Sequence, residues 1–455
     1  MKLQETASAD GGAPARHEHA QVIPSALARL PIHFFVVGVL SLACFGAGAI
    51  AVMPAAVRFF YQPHVLALVH TLTLGVITAV IMGVMYRYVP ALLHRPIRFP
   101  WLARAQFPLF VAGSIGMIGH FAVGNWMGLW WSATAVLVSV VMFAACLLPV
   151  LWDGLWNAVA ETGMFLAICC LLCAGALGLT MGLEEAYGFM WGDLPRMLGA
   201  HVVFAAIGWV TLTICAASYR FIPAFVLPTI ELPPAALRQI QALALTVAGL
   251  ALTLLFGAAG VTLWAAAVGL SLIAYLAILS RVIRSRRIEL DWKIRHVQAG
   301  AVWLALAVAL GIVVAWRGAW SPEGAGWAAA LGAAGLLGWI VNFIIGMSYQ
   351  LFPGFVSRVR TALGWPAVAI AELSVPRIRP SVFALYNAGV ILIVIAFLTS
   401  SPALARWGSI LLAGGALLYS AAALWTLSFA YRRSAPESAR RALRVLGAAE
   451  KRHGR

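Results

Sequence analysis

YRYVP at Tyr86–Pro90, YRFIP at Tyr219–Pro223 and YQLFP at Tyr349–Pro353 are three copies of one phrase, and they decide how this chain of 455 residues is built. Each copy extends backwards in the same way. A glycine lies 11 residues before the tyrosine (Gly75, Gly208, Gly338), a small residue 3 before it (Gly83, Ala216, Gly346), and the proline 4 after it. Tyr86 to Tyr219 is 133 residues and Tyr219 to Tyr349 is 130. One unit has been used three times, which predicts pseudo-threefold symmetry.

The text around the copies sets the solvent. Hydrophobic residues make up 63% of the chain and charged ones 10%, and the mean hydropathy is +0.93, the composition of a polytopic membrane protein. A span needs about 20 mostly apolar residues. Twelve such segments can be read, the first near 32–57 and the last near 404–431. The expected fold is therefore all-α: twelve transmembrane helices in three four-helix arcs, with repeats 31–152, 153–285 and 294–432. The copies then fall on spans two, six and ten. Their small residues would let neighbouring helices approach closely, and each proline marks a place where its helix can stop.

Charge gives the orientation. With both ends on one side, 27 of the 31 Lys and Arg fall on that side, and only Arg58, Arg196, Arg317 and Arg406 fall on the other. The bias towards a positive inner face puts both termini in the cytoplasm of a bacterial-type inner (plasma) membrane, with a polar segment 1–30 and a basic tail 433–455. Membrane lipids account for the net charge of +16, so no nucleic acid partner is implied. Residues 1–30 lack the short apolar core and cleavage site of a signal peptide. The longest outer loop, 183–195, carries Glu184, Glu185 and Asp193, which leaves little protein for a partner on that face.

Ionisable groups inside spans are costly and tend to be functional. His64 and His70 open span two, His201 lies near the start of span six, and His120 near the end of span three. All four belong to the outer portion. Imidazole suits haem iron and copper, so a cluster at one depth on repeat-related helices is a candidate cofactor site, set against interhelical hydrogen bonding. Reckoned at about 100° per residue, His201 shares a face with Tyr219 while His70 opposes Tyr86, so the two would serve different pockets. Arg58 and Arg196 flank the histidines and could pair with haem propionates, or simply anchor at the interface. Glu161, about two turns into span five, is a proton-path candidate. His33 and His296 read as interfacial, and Asn342 as an interhelical hydrogen-bonding residue. Trp327 and Trp339 read as belt and packing residues. The six cysteines fall within spans and are expected to remain thiols; Cys169 and Cys173 share a helical face, where packing competes with soft-metal binding.

His64 to Leu92 (HVLALVHTLTLGVITAVIMGVMYRYVPAL) resembles the second helix of the haem-copper oxidase superfamily, the cytochrome c oxidase subunit I-like fold that includes nitric oxide reductase and cbb3-type relatives. Leu198 to Pro223 (LGAHVVFAAIGWVTLTICAASYRFIP) resembles its sixth helix. The resemblance implies that His70 matches a haem ligand and His201 a copper ligand, and hence haem b, with copper as a second metal, in electron transfer or in oxygen or nitric oxide handling. It also implies a small redox partner or an additional membrane subunit. The family's histidines on helices seven and ten are absent from this chain, so the usual complete haem-copper centre cannot be assembled, and His120 or His201 would partner His70. A second resemblance is to the NnrS-like membrane proteins of nitric oxide metabolism. Against these stands a different class, a non-redox transporter or a metal-handling or oxidase-assembly protein on the same scaffold.

Overall fold

The computed structural model describes residues 27–189 and 194–434, so most of segment 1–30, most of tail 433–455 and Asp193 lie outside the described residues. Among the described residues the regular structure is helical, apart from a β-bridge between Pro228 and Arg286. Twelve helices are long and apolar enough to cross a membrane. They are α1 (Leu30–Ala56), α2 (Pro63–Leu93), α3 (Pro100–Val123), α4 (Trp126–Gly154), α5 (Val159–Tyr187), α6 (Leu194–Val226), α7 (Ala235–Leu255), α8 (Val261–Arg284), α9 (Trp292–Arg317), α10 (Ala325–Ala362), α11 (Pro376–Thr399) and α12 (Pro402–Ser428).

Local chemistry starts and stops these helices. Proline opens α2, α3 and α12, where its fixed φ fits and its missing N–H costs nothing. Asp291 and Ser401 cap α9 and α12 by accepting from Ile294 N and Leu404 N. Large apolar side chains such as Ile115, Leu263, Leu270, Val302 and Trp316 stand exposed on the flanks, as hydrocarbon allows and water would not. The start of α1 meets the end of α12: Arg29 Nε donates to the Ala430 carbonyl (3.2 Å), and His33 stacks on Tyr431 with ring centroids 5.9 Å apart. Helix α1 packs along α12, which closes the bundle.

The three motif helices are the inner ones. In α2, α6 and α10, 67%, 72% and 67% of the most apolar stretch is buried, against at most 50% in any other span. Each contains a π-helical segment, Thr71–Thr78, Val203–Thr211 and Ala333–Val341, ending 8 residues before the motif tyrosine. The small residues act as expected. A Cβ on Gly75 would lie 2.6 Å from Ser41 Oγ, one on Gly208 2.7 Å from Cys170 Cβ, and one on Gly338 2.5 Å from Trp303 Cγ. At the second position Gly83 meets Phe34 and Gly346 meets the Lys293 carbonyl. In the copy with alanine the roles reverse, since Ala216 faces Gly163. The first helix of each unit thus lies tightly against the second.

The prolines do not stop their helices. Pro90, Pro223 and Pro353 lie inside helical stretches that continue to Leu93, Val226 and Ala362. Proline has no N–H to give the carbonyl four residues back, and that carbonyl belongs to the motif tyrosine itself. In the first two copies the stop comes from left-handed residues, His94 (φ 53°) and Leu227 (φ 46°), whose N–H groups or neighbours return to Pro90 and Pro223 carbonyls.

Contacts between copies run head to tail. Trp209, beside Gly208, donates to Thr78 of the first copy (3.2 Å), and Trp339, beside Gly338, donates to Thr211 of the second (3.3 Å). The corresponding positions that would complete the cycle, Val76 and Val341, are both buried and apolar.

Candidate functional site

His70 and His201 sit where an α-helical start gives way to a π segment: His70 directly precedes Thr71–Thr78, and His201 lies two residues before Val203–Thr211. A π segment inserts residues into the regular pitch and is common at functional sites. His70 Nδ1 lies 2.8 Å from the Leu66 carbonyl of its own helix, and His201 Nδ1 lies 2.9 Å from the Ala174 carbonyl of α5. A carbonyl only accepts, so each neutral ring carries its proton on Nδ1 and keeps a bare lone pair on Nε2. That is the orientation a metal-binding imidazole is given by its outer partner.

Packing holds both rings in place. Phe121 stacks on His70 (centroids 4.8 Å apart, 28° between planes), and a Cβ on Gly178 would come 3.2 Å from His201 Cε1. The expectation of separate pockets rests on an unbroken 100° per residue. Between each histidine and its tyrosine the π segment breaks that pitch.

The other outer residues go elsewhere. His120 packs against Gly128 and edge-on to Trp131 (5.4 Å), while His64 and Arg58 are exposed. Arg196 is exposed and lies over Gly257, whose φ is +62° and whose Cβ would fall 2.7 Å from the guanidinium carbon. Tyr61 O–H donates to Glu185 Oε1 (3.0 Å), tying the entry of α2 to the end of α5. Burial and the adjacent carboxylate push this phenol well above its usual range, so it stays a donor.

Glu161 is buried, but it is less deep than the sequence implied. Residues Trp152–Gly154 form a 3-10 turn and Trp156 has φ +72°, so α5 begins only at Val159 and Glu161 belongs to its first turn, beside Gly154. There the carboxylate meets the positive end of the helix dipole.

The largest departure is His296. Expected at the interface, it is fully buried and ends a polar chain across α9, α10 and α11. His296 Nδ1 lies 2.8 Å from Asn342 Oδ1; Asn342 and Asn387 exchange amide hydrogen bonds (3.0 and 3.2 Å); and Trp303 Nε1 donates to Asn387 Oδ1 (3.3 Å). Asn342 Nδ2 also donates to the Gly338 carbonyl (2.8 Å), which fixes Oδ1 as the acceptor for His296. The His296 Nε2 lone pair is then buried with no partner among the described residues. Sequence reading caught Asn342 as an interhelical residue but missed His296, because only the asparagine 46 positions on turns it inward. Of the tryptophans, Trp339 is buried and Trp327 lies under Arg317 (5.4 Å).

All six cysteines are free, with Cys169 half-buried and Cys173 exposed. Among the described residues no group of three or more His, Cys, Asp or Glu is placed to hold one metal ion. Compared with models of known protein families and with curated proteins, the chain matches none.

Proposed function

We propose that the chain is a membrane-integral haem-binding redox protein on a cytochrome c oxidase subunit I-like plan of three four-helix arcs, with His70 and His201 as the residues that would hold the haem. The observation that carries this reading is the matched state of the two rings: Nδ1 is bound to a carbonyl in each, which leaves Nε2 of the neutral ring unprotonated. Haem b would supply one-electron redox chemistry there. His70 and His201 would hold the group through Nε2, and with two imidazoles engaged it would favour electron transfer over oxygen or nitric oxide binding. Phe121 and Gly178 fix the rings, and Arg58 and Arg196 at the rim are the groups to meet propionates. The positive-inside bias places this site towards the outer face, where a small redox partner or a further membrane subunit would exchange electrons.

A reduced-minus-oxidised absorption spectrum of the purified protein tests the reading. Soret and α bands are expected in the native chain, with loss or a marked shift in His70→Ala and in His201→Ala. A colourless protein from haem-replete cells would overturn it and hand the scaffold to the transporter or assembly alternative.

A further inference from the structure

The third copy breaks a rule that the first two keep. Tyr86 O–H donates to Gln106 Oε1 (3.2 Å) and Tyr219 O–H to Gln239 Oε1 (3.0 Å), in each case 20 residues further on. Tyr349 has no such glutamine. Its hydroxyl is buried without a hydrogen-bond partner among the described residues, and the Arg379 guanidinium lies over its ring, 4.7 Å from the centroid. Arg379 Nε is likewise buried and without a partner.

Both side chains line a cavity of about 30 Å³, with Ser348, Ser374, Tyr419 and Thr426. The hydroxyl protons of those four are used elsewhere. Ser348 donates to the Ile345 carbonyl (2.7 Å), Ser374 to Ile370 (3.0 Å), Thr426 to Leu373 (2.8 Å), and Tyr419 to Ser348 Oγ (2.6 Å). The unspent donors are Tyr349 O–H and Arg379 Nε–H, and they come with a full positive charge. Asp291, the carboxylate that Arg379 senses, is engaged by Lys293 at 3.0 Å. Arg379 also opens the regular α-helix Arg379–Thr399, so the positive end of that dipole adds to the field. The neighbouring Arg360 shows the contrast: its guanidinium is taken up by the carbonyls of Pro366, Phe429, Arg432 and Arg433 at 2.7–3.1 Å.

We propose that this cavity binds one halide-sized anion, chloride in the cell, between Arg379 Nε–H and the Tyr349 hydroxyl. A water could accept from both donors, but an anion would also meet the charge of the half-buried guanidinium. The cavity has room for a water-sized guest or larger, and the single guanidinium charge matches a monovalent halide, whereas the second charge of sulfate would go uncompensated. The site lies at the tyrosine end of its motif helix, away from the imidazole pair, so its test is independent of haem.

The test uses the full-length purified protein in chloride-free gluconate buffer, titrated with sodium chloride, bromide or sulfate at matched ionic strength. Thermal unfolding and chloride NMR line broadening are the readouts. Chloride and bromide should raise the midpoint saturably and sulfate should not. Arg379→Gln should weaken halide binding about tenfold or more, the loss of one charge-assisted hydrogen bond, and Tyr349→Phe should weaken it less. An equal response to sulfate, no halide response, or an unchanged response in folded Arg379→Gln would overturn the site. If Arg379→Gln fails to fold, Tyr349→Phe decides, and wild-type halide affinity in that variant would overturn it.

Discussion

Asn342 is the residue on which the third unit turns, because it is buried, accepts from His296 and exchanges hydrogen bonds with Asn387. Replacing it with leucine keeps the volume but strands two donors. The expected cost is about 1–3 kcal/mol, read as a lowered unfolding midpoint in detergent, and an unchanged midpoint would mean that the network does not form. Arg360 makes a second prediction at this scale. It gathers the carbonyls at the end of α12, so Arg360→Gln should release that end and speed tryptic cleavage at Arg432 and Arg433 while the bundle stays folded. Single residues were unevenly legible. His70 and His201 stood out because imidazole is rare in an apolar span, whereas His296 looked interfacial from its place near the start of α9 and is turned inward only by a partner on α10.

At the scale of the element, the motif glycines are spacers whose absent side chains let two helices touch. A Cβ on Gly346 would lie 2.6 Å from the Lys293 carbonyl, a backbone atom that cannot swing aside, while one on Gly354, two turns on in the same helix, meets nothing. Gly346→Ala should therefore destabilise by about 1–3 kcal/mol, as overpacking does, and Gly354→Ala should be near neutral; equal midpoints would refute the spacer role. Gly163→Ala should resemble Gly346→Ala, because Gly163 is the small partner in the copy that carries Ala216. Hydropathy delivered the number of spans and the motif gave their close contacts. The π segments and the continuation past each proline were not legible, since both depend on whether surrounding helices satisfy or cover the freed backbone groups.

Across the whole molecule, the copies are joined by tryptophan-to-threonine hydrogen bonds, Trp209 to Thr78 and Trp339 to Thr211. Trp339→Phe combined with Thr211→Val should cost less than the sum of the single changes, with a coupling of about 0.5–1.5 kcal/mol measured by a double-mutant cycle. Strict additivity would mean that the two units do not communicate through this contact. The sequence by itself determined that the chain has twelve segments long and apolar enough to cross a membrane, that one motif recurs three times, and which helices carry it, because burial in hydrocarbon and close helix contact each demand residue types that can be read in order along the chain. Only the tertiary structure decided which polar atoms meet. The bond from His201 to the Ala174 carbonyl, the inward turn of His296 and the place of Arg379 over Tyr349 where the other copies have a glutamine all depend on side chains brought together from different helices, and no local pattern encodes the direction in which a ring or guanidinium points once its helix is packed.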